Sequence, residues 1–140
     1  MKTTIFILSA LLTAGIPVIA QDILQVEVTN VKDTTGFIMV GLFSTEDSFL
    51  KKPVIGQTVR ADHGSVMVTF KNVPAGEYAI SVIHDENGNG ELDSNFLGLP
   101  KEGFGFGNDA MGSFGPPSFD KAKVIVNGQT KKQVVKMRYF

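Results

Sequence analysis

The chain has 140 residues, with 14 acidic against 13 basic side chains and no cysteine. That length gives room for one hydrophobic core, and the near-neutral balance gives no electrostatic reason to expect nucleic acid or an anionic membrane as partner. The missing cysteines exclude disulfide staples, a lipid-modified N-terminal cysteine and thiolate chemistry at a metal or nucleophile.

Lys2 precedes an apolar run over residues 4–16, and Val18 and Ala20 stand three and one positions before a junction with Gln21 and Asp22. A charged start, a short apolar stretch and small residues before a polar junction predict a secretory signal peptide over 1–20. The run is short for a bilayer core, which takes about 20 residues. The expectation is an exported protein, periplasmic or secreted, with one domain over 21–140 and no membrane insertion after cleavage.

From there the apolar pattern has period two. Leu24, Val26 and Val28 alternate with Gln25, Glu27 and Thr29, as in a half-buried strand. Residues 37–43 are apolar on both faces, which predicts an inner strand covered on each side. Residues 45–56 form a polar loop, tacked down by Phe49, Leu50 and Ile55. Alternation returns at 65–71, with Val66, Val68 and Phe70 on one face. Pro74 and Gly76 then set a tight turn into a strand over 78–84, with Tyr78 toward the core. A long segment rich in glycine, asparagine and phenylalanine covers 85–119, and two strands close the chain, 123–126 and 133–140. These features predict an all-β, antiparallel sandwich of seven strands (six to eight) with a long Gly/Phe-rich loop.

The stretch Asn72-Val73-Pro74-Ala75-Gly76-Glu77-Tyr78 resembles a hairpin of transthyretin-like and carboxypeptidase-regulatory-like sandwiches. Together with the residues from His84 to Phe104 and from Phe114 to Phe119, it resembles a bacterial family of exported proteins known only as a domain of unknown function, DUF2141. The resemblance covers nearly all of 21–140. It implies a prealbumin-like β-sandwich in the periplasm or medium, and it implies no activity.

Asp85, Asn87, Asn89, Gly90 and Asp93 occupy positions 1, 3, 5, 6 and 9 of an EF-hand-type calcium loop. A hard cation takes about six to eight oxygen ligands, and glycine at position 6 permits the sharp turn. Asp85, Asn87, Asn89 and Asp93 would supply side-chain oxygens, Glu91 its carbonyl, and Leu92 would anchor the loop in the core. Position 12 is Phe96 rather than a bidentate glutamate, so another carboxylate must complete the shell, with Glu102, Asp109 and Asp120 as candidates. The expectation is a weak, structural Ca2+ site. The competing reading is a plain Asx- and Gly-rich turn.

Phe96, Phe104, Phe106, Phe114 and Phe119, spaced by glycines, form either an aromatic platform for a protein or carbohydrate ligand or a small secondary core. Residues 103–107 alternate glycine and phenylalanine but lack the lysine and helix of a phosphate loop. His63 and His84 are the only histidines, and His84 reads first as a structural group. No catalytic constellation and no cofactor site emerge from the spacing. The function expected is an exported, non-enzymatic binding or structural module. The alternative is a small periplasmic hydrolase or carbohydrate-active or carbohydrate-binding protein that uses His84 and carboxylates of the same loop region.

Overall fold

The computed structural model describes residues 22–140, and the signal peptide expected over 1–20 lies outside the described residues. Eight strands form two sheets: β1 (Ile23–Val31), β2 (Phe37–Phe43), β3 (Ile55–Arg60), β4 (Gly64–Lys71), β5 (Gly76–Asp85), β6 (Gly103–Phe106), β7 (Lys123–Val126) and β8 (Lys131–Lys136). One sheet has the order β4-β1-β8, the other β3-β2-β5-β6. β7 shares the far edge of β5, pairing Gly76 to Ala79, while β6 pairs Ser81 to His84.

Alternation builds the core. Leu24, Val26 and Val28 of β1, Val68 and Phe70 of β4 and Val135 of β8 meet Ile38, Val40 and Leu42 of β2 and Tyr78, Ile80 and Val82 of β5 in one buried cluster. Each of these side chains contributes about 1.5–3 kcal/mol by leaving water, and a one-residue slip in any strand would turn its whole set outward.

Three features depart from the sequence expectation. β3 starts at the end of the loop expected over 45–56 and runs on through residues given no element, and β6 lies within the segment read as a long loop, for β3 carries little apolar alternation and β6 is only four residues long. β8 ends at Lys136 rather than at the last residue. Its pairing with β1 is parallel, not antiparallel. The Asn127-Gly128 connection explains the last point: it joins β7 in one sheet to β8 in the other, so β8 enters beside β1 by a crossover.

After β8 the chain crosses back. Met137 donates its N–H to the Thr29 carbonyl, and Arg138 exchanges both backbone hydrogen bonds with Phe104 of β6 (2.8 and 3.0 Å). This crossing explains the alternating glycines of 103–107. A Cβ on Gly103 would lie 2.3 Å from Tyr139 Cε1, and one on Gly105 would lie 2.7 Å from Val135 Cγ1. The glycine side of β6 thus admits the C-terminal segment, while Phe104 and Phe106 point to the other face. There they join Phe43, Ala79, Phe119 and Ala122 in a second cluster, with Phe49 and Leu92 packed against it. No helix among the described residues is long and apolar enough to cross a membrane.

Candidate functional site

The loop over 85–93 leaves the end of β5 and closes around one carboxylate. Asp85 is only 2% exposed, and it accepts N–H groups from Gly88 (2.9 Å), Asn89 (3.2 Å) and Gly90 (2.9 Å). Gly90, at φ 80°, turns its amide toward that carboxylate at the position predicted to need glycine. The carboxamide oxygens of Asn87 and Asn89 accept the N–H groups two residues ahead, at 3.1 and 3.0 Å. Both carboxamide N–H groups donate to one oxygen of Asp93.

Of the three carboxylates proposed to complete a calcium shell, Glu102 alone belongs to this loop. It is 5% exposed, accepting the Glu86 N–H at 2.9 Å and the Asp93 N–H at 3.1 Å. Asp109 instead receives the Lys136 N–H at 2.8 Å, and Asp120 pairs with Lys123 at 3.0 Å. Phe96, at position 12, is 95% exposed. Among the described residues no three His, Asp or Glu side chains converge as a metal cluster. The oxygens gathered here are two loop carboxylates, two carboxamides and the Glu102 carboxylate beneath them.

His84 is completely buried. Its Nε2 lies 2.7 Å from the Thr35 carbonyl and its Nδ1 2.9 Å from the Tyr139 hydroxyl. A carbonyl only accepts, so in the neutral ring Nε2 carries the proton and Nδ1 accepts from the tyrosine. The Tyr139 hydroxyl in turn accepts the Lys32 N–H at 3.1 Å. Burial raises the Tyr139 pKa above the ordinary 10.0. This arrangement clasps the C-terminal segment to β5 and to the turn after β1.

The outer face of the five-stranded sheet holds what the sequence reading missed, an apolar cleft of about 910 Å³. On its floor the Phe43 ring and Pro53 lie over Gly41, and Gly41 and Ser81 are direct partners across β2 and β5. Met39, Phe43, Ile83, Phe104 and Phe106 stand around them. Its sides come from three loops, carrying Leu50 and Lys51, Glu91 and Leu99, and Met111 and Phe114. Phe114 is fully exposed at the edge. The five phenylalanines therefore divide: Phe104, Phe106 and Phe119 are buried, and Phe96 and Phe114 face solvent. The signal for the cleft was present in residues 37–43 and 78–84, which are apolar on the face turned away from the core.

No curated protein and no solved structure matches the chain. A family model described as "uncharacterized protein conserved in bacteria (DUF2141)" matches residues 26–134, a span that runs from β1 into β8, and the chain belongs to that family.

Proposed function

We propose that the protein is an exported, non-enzymatic ligand-binding module whose recognition site is the apolar cleft on the outer face of the five-stranded sheet. The observation that carries this reading is the cleft itself. Its volume of about 910 Å³ falls within the range of small-molecule sites, about 300–1,000 Å³. His84 is engaged by Thr35 and Tyr139 on the other side of β5, which favours binding over hydrolysis. The hairpin at 72–78 and the two-sheet arrangement support the prealbumin-like type of sandwich.

In this reading Ca2+ is structural. Asp85, Asn87, Asn89 and Asp93 would hold it by side-chain oxygens and Glu91 by its carbonyl. The residue types suit a low-charge site: Asp93 draws both carboxamides inward, and half a turn of each would present oxygen in place of nitrogen while giving up the bonds from the Asn89 and Glu91 N–H groups. Gly90 and Glu91 of this loop also line the cleft, so an ion there would stiffen one wall of the binding site.

Two measurements test the reading. Thermal unfolding in EDTA and then with added Ca2+ or Mg2+ should give a rise in midpoint specific to Ca2+ and absent in Asp93→Ala. Asp93 suits this purpose better than Asp85, whose loss would disturb the loop with or without metal. An unchanged midpoint removes the calcium site. Separately, 1-anilinonaphthalene-8-sulfonate should brighten on the native protein, and Ile83→Lys should suppress that signal. No brightening on the native protein removes the cleft as a binding site.

A further inference from the structure

We infer that the ligand of the cleft is a long-chain carboxylic acid, its acyl chain lying across the sheet and its carboxylate at Lys51. This rests on the cleft being the recognition site.

The shape comes first. The floor spans β3, β2, β5 and β6, about 14 Å across at ordinary strand spacing, and about 13 Å along β2 from Met39 to Phe43. A shallow trough, low at Ser81 and flanked by Phe43 and Pro53 over Gly41, suits a flexible chain better than a rigid fused ring system. Met39 and Met111 add thioether side chains that adjust their rotamers to such a guest. Leaving this lining in water is unfavourable, and its concavity suits a small guest better than a flat protein face.

Charge supplies the direction. Lys51 stands on the rim, and among the described residues it forms no ion pair. Glu91, on another lining loop, is the single acidic side chain among the lining residues. An anionic head is drawn to Lys51 and repelled by Glu91, whereas the chain gains from burial on Phe104, Phe106 and Ile83. The Ser81 side chain lies under the middle of the trough, so enlarging it fills the path of the chain.

The test is calorimetric titration of the purified protein with palmitate and, in parallel, with hexadecanol, in EDTA and in Ca2+. Palmitate should bind, with affinity rising from octanoate through dodecanoate. Ser81→Phe should weaken binding about tenfold or more, the equivalent of filling rather than trimming the site. Lys51→Glu, exposed and remote from the core, should weaken palmitate about fivefold and leave hexadecanol unchanged; it decides the matter if Ser81→Phe does not fold. Equal binding of palmitate and hexadecanol to the native protein overturns the assignment of the carboxylate. Failure of palmitate to bind, while anilinonaphthalene sulfonate still brightens and Ile83→Lys suppresses it, overturns the ligand class and leaves the cleft as a site. Failure of both removes the site as well. A missing calcium effect alters neither conclusion, because both titrations are also run in EDTA.

Discussion

The two faces of the five-stranded sheet are made by alternate residues of the same strands, yet they are covered differently. Ile38, Val40, Leu42, Ile80 and Val82 face the other sheet, where regular strands meet them row by row. Met39, Gly41, Phe43, Ser81 and Ile83 face three loops instead. A second sheet offers a side chain at every position of its pleat. A loop must also satisfy its own backbone, so it touches the sheet at a few anchors such as Phe49 and Leu92 and leaves space between them. The inner face is therefore sealed and the outer face holds a cleft.

Substitutions should separate the two faces most sharply. Leu42→Ala, on the inner face, should cost about 2–5 kcal/mol through lost burial and a residual cavity. Ile83→Ala, on the cleft floor and only partly buried, should cost about 1 kcal/mol. Denaturant midpoints at constant slope would measure both. Equal losses would mean that the cleft is closed in solution and the contrast between the faces is wrong.

The calcium-like loop sharpens the comparison further, because it anchors a cleft wall through polar groups rather than through packing. Asp85→Ala leaves the Gly88 and Gly90 N–H groups without an acceptor and the Asn89 N–H with Asn87 alone, and the expected loss in EDTA is about 1–3 kcal/mol. A loss below the detection limit would mean that water replaces the carboxylate and that the wall is held by Leu92 and Glu102 instead.

How much of this was legible in the sequence differs by face. The inner strands were readable because their alternation is strict: Leu24, Val26 and Val28 against Gln25, Glu27 and Thr29 leave one solution. β3 was missed because Ile55 and Val59 mark only two of its half-buried positions, and the polar Gln57 stands between them. β6 was missed because its glycines and phenylalanines look like loop composition until Tyr139 and Val135 are placed against the glycine side. The loop residues Asp85, Asn87, Asn89 and Asp93 are brought together as their spacing implied, and Glu102 joins them from 16 residues beyond Glu86, a separation no local motif encodes. The cleft had a signal, the double-sided apolar strands, but only the loops decide whether such a face is sealed or open.

A smaller effect concerns pH. Burial is the main cause raising the pKa of both Tyr78 and Tyr139 above 10.0. The fold thus favours the neutral phenols, and their contribution is fully present below the unfolded value near pH 10 and is lost as pH rises through the higher folded values. Denaturant unfolding at pH 8, 10 and 11 should show stability falling above pH 10. Tyr139→Phe, which retains the ring but removes the hydroxyl bonded to His84, should flatten that fall. An unaltered slope would assign the effect to other groups.

The smallest effect should come from the rim. Phe114 is the most exposed phenylalanine among the described residues, on a loop that borders the cleft. Its removal from the folded protein leaves no cavity, because solvent already surrounds it. Phe114→Ser should therefore change the unfolding free energy by no more than about 0.5 kcal/mol, as is usual for surface positions. A ligand lying in the cleft would cover this ring, however, and the same substitution should then weaken palmitate binding while stability stays constant. A stable variant with weaker binding places Phe114 over the bound chain. If binding also stays constant, the ligand sits deeper against Phe104 and Phe106, and the exposed ring forms no part of the site.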